Sequence, residues 1–195
     1  SGSFDANDPI RSVSIDSGGA GIVAGADSGN VYFLGADGRL LWNYRTGDNG
    51  IHVAISRDGS TIAAASTGRT VYLLNRNGRL LWKSSMPRAI ADVSISGDGS
   101  RLVLADGGIS MLNRGGETIG MHATGEEGRI RSVSAPSDTA HILAGAADGT
   151  ISMFRVQPET LPPDTATEPS RPSVTPAQEQ TTSQQDTALP PATPV

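Results

Sequence analysis

The chain has 195 residues, no cysteine and a formal net charge of −5 at pH 7. Without cysteine it has neither disulfide bonds nor thiol chemistry. It shows no basic stripe of the kind that binds nucleic acid and no apolar run of the roughly 18 residues that a membrane span needs. We therefore expect no nucleic-acid partner and no membrane-spanning segment in these residues. An anchor beyond Val195 stays open.

Residues 10–156 repeat with a period of about 40 residues. One column of equivalent positions holds Val13, Val53, Val93 and Val133. Each copy contains short apolar runs rich in β-branched residues, and Gly-containing turns such as RDGS and NRNG separate them, which is typical of strands and hairpins. No stretch sustains the apolar spacing of a helix. We therefore predict an all-β fold, a β-propeller of four blades with about 40 residues and four strands each.

The fourth predicted blade has three strands and lacks an outer one. The predicted blades span residues 10–49, 50–88, 89–128 and 129–156, between a lead-in at 1–9 and a tail at 157–195. The missing strand has three candidate sources, which are the lead-in, the tail and another molecule. Three arrangements stay open: a closed four-bladed ring, part of a larger propeller, and an open unit whose edge pairs with a neighbour.

Two segments resemble the repeat of pyrroloquinoline-quinone-like (PQQ-like) propellers, GNVYFLGADGRLLWNYRTG at 29–47 and TVYLLNRNGRLLW at 70–82. The turns SRDGS and SGDGS also resemble WD-type repeats. The resemblance covers residues 10–156 and implies the propeller fold of a non-enzymatic, surface type. Quinone enzymes of that family carry a cofactor, a calcium ion and a catalytic Asp, none of which is carried over to this much shorter chain.

The composition changes near residue 157, because nine of the 12 prolines follow it and every glycine and aromatic residue precedes it. The tail is rich in Pro, Thr, Ser and Gln and has few large aliphatic residues, which is typical of extended segments and O-glycosylated stalks. We predict a stalk or linker. Docking of the tail on a neighbouring subunit is the alternative, with prolines restricting strand pairing to sheet edges.

Few residues qualify as candidates for a functional site. Arg11 and Arg131 hold equivalent positions beside the inner strands, and Arg129 lies close by. We predict that these arginines lie at the mouth of the propeller channel, where pairing with Asp92 is favoured over the binding of an anionic partner. No catalytic, cofactor-binding or metal-binding residue is predicted.

The three histidines, His52, His122 and His141, fall at different places in their repeats. A metal site needs several ligands that converge on one point. We therefore expect these histidines to be solvated or to lie in loops.

We predict a non-catalytic extracellular or cell-surface propeller that acts as an interaction or self-assembly module, with protein partners or other copies of itself and no cofactor. Two alternatives stay open. One is a fragment of a quinone-dependent dehydrogenase. The other is an intracellular WD-type protein-binding scaffold.

Overall fold

Fifteen β-strands and no helix form the described part of the chain, residues 2–124, 129–135 and 141–156, in a computed structural model. The first sheet contains β1 (Ile10–Ile15), β2 (Gly21–Ala26), β3 (Asn30–Gly35) and β4 (Leu40–Arg45). The second contains β5 (Ile51–Ile55), β6 (Thr61–Ser66), β7 (Thr70–Asn75) and β8 (Leu80–Ser85). The third contains β9 (Asp92–Ile95), β10 (Arg101–Ala105), β11 (Ile109–Asn113) and β12 (Thr118–His122). The fourth contains β13 (Ile130–Ser134), β14 (His141–Ala146) and β15 (Ile151–Arg155).

Each sheet is an antiparallel meander in which the strands pair in chain order. Three sheets have four strands, and the fourth has only β13, β14 and β15 in the described residues. The prediction of an all-β propeller whose fourth blade lacks its outer strand is therefore confirmed. The tail and the second unit of the chain, Glu159–Val195, lie outside the described residues, so the predicted domain boundary stays a prediction.

Consecutive sheets stack face to face, and a separate apolar core fills each of the three boundaries. The first boundary buries Val23, Val31, Phe33, Ile51, Val53, Ile55, Ile62, Ala64, Tyr72 and Leu74. The second buries Ala54, Ala63, Ala65, Val71, Leu73, Met86, Ile90, Val93, Ile95, Leu102, Leu104 and Leu112. The third buries Val103, Ala105, Ile109, Ile130, Val133, Ile142 and Ala144. Side chains alternate across each strand, so every inner blade contributes to the cores on both of its sides.

Small residues in the second strand of each blade allow the sheets to approach closely. The alanines at 63, 64 and 65 in β6 are fully buried. A Cβ on Gly25 of β2 would lie 2.9 Å from the carbonyl carbon of Ile51 in the next blade. These small residues therefore have a packing role at the blade boundaries.

The four sheets form an open stack in the described residues. Val53 and Val93 are each 5% exposed, whereas Val13, at the equivalent position in β1, is 68% exposed. At the other end, Ile151 and Met153 of β15 are also exposed. No packing between the first and fourth sheets matches that between consecutive sheets, so these four blades do not close a ring by themselves.

Candidate interaction site

A cavity of about 770 Å³ opens where the inner strands of the four blades come together. Residues from all four blades line it, and five of them are arginines. The charged and titratable residues in its wall are Arg11, His52, Arg69, Arg88, Asp106, Arg129 and Arg131. The cavity lies at the blade end that carries the turns between second and third strands, such as Thr67–Arg69, and the connections between blades, such as Pro87–Arg88.

The charges of four of the five cavity arginines are not neutralised by an ion pair in the described residues. Arg69, Arg88, Arg129 and Arg131 are exposed, and none of them forms an ion pair within the described part of the chain. Arg11 differs, because its Nη2 lies 2.6 Å from the Asp27 carboxylate. Arg11 is therefore largely neutralised.

The predicted pairing of an arginine with Asp92 is wrong. Oδ2 of Asp92 accepts hydrogen bonds from the Ser132 hydroxyl at 2.9 Å and from the Val133 N–H at 3.0 Å. Asp92 therefore joins the inner strands of the third and fourth blades. Its carboxylate is satisfied by uncharged donors, which leaves Arg131 free to face the cavity.

His52 lies inside β5 and is half-buried, so the expectation of a solvated or loop histidine is wrong for this residue. Its Nδ1 is 3.9 Å from Oδ1 of Asp92. Burial is the largest effect on the His52 pKa and lowers it; Asp92 and Asp27 oppose that shift, and Arg11 adds to it. Because an uncharged imidazole is favoured here, the positive charge of the cavity comes from the arginines.

Asp106 is the one carboxylate in the described cavity wall. It is buried, and its Oδ2 accepts a 2.7 Å hydrogen bond from the Ser110 hydroxyl. Asp106 therefore ties β10 to β11. The cavity keeps an excess of positive charge, which suits carboxylate or phosphate groups because guanidinium groups bind both in a two-pronged geometry.

The cavity wall also has an apolar part. This part is formed by Pro87, Ala89, Ile90, Ala91 and Ile130. A ligand that fills the cavity therefore meets both arginine side chains and aliphatic surface. No group of three or more potential metal ligands occurs among the described residues, and they include no helix long and apolar enough to cross a membrane.

The structure brings all three predicted arginines, Arg11, Arg129 and Arg131, to this cavity. Sequence reasoning missed Arg69 and Arg88. In a four-stranded meander, the turn between the second and third strands lies at the same end as the connection to the next blade. That rule, applied to the predicted turns, would have placed both residues here.

Polar side chains also join neighbouring inner strands, which the sequence analysis did not foresee. Oγ of Ser12 accepts a hydrogen bond from the Val53 N–H at 3.2 Å, and Ser14 accepts one from Ile55 at 3.3 Å. Ser94 accepts one from Ala135 at 3.0 Å. Ser14 and Ser94 hold equivalent repeat positions, and each of them faces the inner strand of the next blade.

Comparison with known proteins supports a WD40-like fold. Residues 118–155 match the family model described as "WD domain, G-beta repeat". Among solved structures, the chain is similar to one described as the crystal structure of RRP9 WD40 repeats, with a TM-score of 0.70 and 14% sequence identity. That match covers 78% of this chain and 50% of the other, so this chain spans about half the length of that structure. No curated protein matches.

These matches define the class as a β-propeller of WD40-like fold, with a WD-type repeat at residues 118–155. The more specific likeness to quinone-type propellers stays a prediction. Because 1553 solved chains match, the fold is common and does not by itself identify a ligand.

Proposed function

We propose that this chain is a non-catalytic protein-interaction scaffold that binds an acidic segment of a partner protein in the arginine-lined cavity. The observation that carries the proposal is the convergence of four arginines without ion pairs on one cavity. The WD-type repeat and the WD40-like fold support an interaction role, and they favour the scaffold alternative over the cell-surface module.

An acidic peptide suits the cavity better than a small anion does. Arginines from the second and fourth blades, and from the connection between the second and third, line an opening of about 770 Å³, which is large for one phosphate group. Pro87, Ala89 and Ile130 add aliphatic surface. A segment with alternating acidic and aliphatic side chains would use both kinds of wall.

Nucleic acid is disfavoured as the ligand. The five cavity arginines form one compact cluster rather than a long basic stripe, and the chain as a whole carries −5. A long polyanion is bound by cations spread along its backbone, whereas a short acidic segment can be held by the field of one local cluster.

Fluorescence anisotropy with a labelled ten-residue peptide of alternating Glu and Leu tests the proposal, with a Gln-for-Glu peptide as the matched probe. We expect the acidic peptide to bind more tightly and its affinity to fall as salt is added. The double variant Arg129→Gln/Arg131→Gln should lower the affinity roughly tenfold or more, since close charge pairs contribute 1.5 kcal/mol or more in measured cases.

Arg39→Gln is the control, because Arg39 is exposed and pairs with Asp37 in a turn between β3 and β4. It should bind the acidic peptide like the unmodified chain. Equal affinity for the two peptides, or an equal loss in the control, would contradict the proposal.

The cell-surface location also stays a proposal, and it rests on the Pro/Thr-rich composition of residues 157–195. Mass spectrometry of the protein from its native host would test it. Glycans on tail Ser or Thr residues support a surface stalk, and their absence favours a plain linker. Quinone titration with calcium tests the dehydrogenase alternative, for which we expect no binding.

A further inference from the structure

Residues 2–9 follow the path that residues 42–49 follow one repeat later. The two segments are offset by one repeat length, so that Gly2, Phe4, Asp8 and Pro9 correspond to Trp42, Tyr44, Asp48 and Asn49. Residues 42–45 belong to β4, the outer strand of the first blade, and 46–49 lead into the second. Residues 2–9 lead into the first blade in the same way, but pair with no strand in the described chain.

The aromatic contact of the later segment recurs in the earlier one. Tyr44 lies with its ring centroid 6.3 Å from that of Tyr72, tilted by 59°. Phe4 lies 5.7 Å from Tyr32, tilted by 53°. Each ring of the entering segment therefore covers the tyrosine of the following blade in the same way.

The carboxylate contact recurs as well. Oδ2 of Asp48 accepts a hydrogen bond from the Tyr72 hydroxyl at 2.6 Å, and Oδ2 of Asp8 accepts one from the Tyr32 hydroxyl at 3.3 Å. Asp8 also accepts a short hydrogen bond from the Ser28 hydroxyl. The lead-in is therefore held on the first blade by the contacts that an inter-blade connection makes.

The backbone follows the same route. The Thr67 N–H donates to the carbonyl of Asn49 at 3.3 Å, and the Asp27 N–H donates to the carbonyl of Pro9 at 2.9 Å. A Cβ on Gly78 would meet Trp42 at 2.8 Å, and one on Gly38 would meet the backbone of Gly2 at 3.0 Å. Residues 2–9 thus occupy the position of an outer strand and its exit, and no blade in the described residues pairs with them.

Among the described strands, the fourth blade lacks one of the kind that residues 2–9 resemble. It has no outer strand beside β15 in the described residues. Its outward face exposes Leu143, Ile151 and Met153 by 49%, 82% and 68%. The equivalent residues in β6 and β7 of the second blade, Ala63, Val71 and Leu73, are fully buried against the third.

We propose that residues 2–9 of one copy form the outer strand of the fourth blade of a second copy, and that two copies exchange these strands to close an eight-bladed ring. Each copy then presents its first blade to the fourth blade of the other, as consecutive blades do within the chain. Eight blades lie within the range of known propellers.

Three observations favour a second copy as the occupant. The exposed end faces carry the residue types that already pack at the three internal boundaries. The donor segment and the blade without an outer strand occur in one chain, so a head-to-tail pair satisfies both at once. The match with the solved WD40 chain covers 50% of that chain, so two copies together reach its size.

The pairing of β3 with β4 predicts the register of the exchanged strand. Val31 lies opposite Tyr44, and Tyr32 lies opposite Asn43. By the same alignment, Phe4 of one copy lies opposite Ile151 of the other, and Ser3 lies opposite Ser152. Because the chain has no cysteine, every disulfide that forms joins two of the introduced cysteines.

Oxidative cross-linking tests this register directly. A 1:1 mixture of the Ser3→Cys and Ser152→Cys variants should give a disulfide-linked pair as its main product. The control mixture of Ser3→Cys with Ser85→Cys should give little, since Ser85 is exposed at the end of β8. Equal cross-linking in both mixtures, or none in the first, would overturn the proposed exchange.

Light scattering on a sizing column provides the second test. The full chain should elute with twice its 20.1 kDa mass. Ile151→Asp/Met153→Lys should elute as a single copy, and both side chains are exposed, so the blade should still fold. Met121→Lys, at an exposed position on β12, is the control and should keep the doubled mass. A single-copy mass for the unmodified chain, or a mass above two copies, would overturn the two-copy ring.

Discussion

Single residues hold the blade boundaries in place at the outer strands. The indole N–H of Trp42 donates to the carbonyl of Arg76 at 2.8 Å, and the ring stacks on Phe33 with centroids 5.1 Å apart. Gly78 lies directly beneath this indole and has a φ of 77°. A glycine is needed at this position both for its backbone conformation and for the space that the indole occupies.

Gly78→Ala should destabilise the fold more than Gly47→Ala does. Gly47 also has a positive φ, at 83°, but a Cβ there would meet nothing within 4 Å. Gly47→Ala should therefore cost about 1–2 kcal/mol from the backbone alone. Gly78→Ala should cost a further 1–3 kcal/mol or so, because the methyl group displaces Trp42. Urea unfolding of both variants measures the difference in their free energies of unfolding. Equal losses would show that the indole of Trp42 moves aside without a measurable loss of stability.

His52 should make the stability of the fold depend on pH. Burial lowers its pKa in the folded chain below the usual value of 6.5, so the unfolded chain binds more protons as the pH falls through that region. The contribution of His52 is therefore complete above about pH 6.5 and is lost on acidification.

The urea midpoint of the unmodified chain should accordingly fall more between pH 7.5 and pH 5 than that of His52→Gln. His122→Gln provides a comparison, since His122 is exposed on β12, and it should behave like the unmodified chain. Identical pH dependence in all three proteins would show that His52 keeps its ordinary titration.

At the scale of elements, the inner strands are joined by side chains rather than by a hydrogen-bonded ladder. Ser12 bonds to both the N–H and the carbonyl of Val53. Asp92 takes the corresponding role between the third and fourth blades. Each such bond satisfies a backbone group that would otherwise be unpaired at the boundary.

Ser12→Ala should destabilise the chain by about 1–2 kcal/mol, because the Val53 N–H loses its acceptor in a partly buried place. Ser85→Ala, which removes an exposed hydroxyl from the end of β8, should change stability by less than about 0.5 kcal/mol. Thermal unfolding of the two variants supplies the measurement. A Ser12→Ala chain as stable as the Ser85→Ala chain would mean that water replaces the serine.

The strands were predictable from sequence because a blade is a local structure. Alternating β-branched residues and Gly-containing turns lie close together in the chain, and the repeat at about 40 residues fixed the number of blades. Contacts between blades were harder to predict. The pairing partner of Arg11 is Asp27 rather than Asp92, and the burial of His52 depends on neighbouring blades, which local periodicity does not describe.

The candidate site was predictable in part. Arg11 and Arg131 share a repeat position, so their common location follows from the period. Arg69 and Arg88 lie in turns of unequal length and share no such position with them. Only the meander topology brings these turns to the same end of the stack.

At the scale of the whole molecule, the described blades form a stack in which each blade packs mainly against its neighbours along the sequence. Such an arrangement is stabilised by the sum of its boundaries. The first and fourth blades, which lie at the two ends of the stack, are therefore its least stable parts. The exchange proposed for residues 2–9 would stabilise both of them.

Removal of residues 157–195 should leave the mass at two copies, whereas removal of residues 1–9 should give a single copy. The physical reason is that the lead-in, rather than the tail, carries the contacts of an outer strand. Light scattering of the two truncated chains distinguishes the segments. A tail-less chain that falls to one copy would instead assign the joining role to the tail.

The two tryptophans of the chain are intrinsic fluorescent probes of its blade boundaries. Trp42 spans the first blade boundary and Trp82 the second, where its indole donates to the carbonyl of Arg114 at 2.8 Å. At the third boundary, Gly120 stands in the corresponding position. Tryptophan fluorescence will therefore report the opening of the first two boundaries but not of the third. A transition visible by circular dichroism but silent in fluorescence would be the departure of the fourth blade alone.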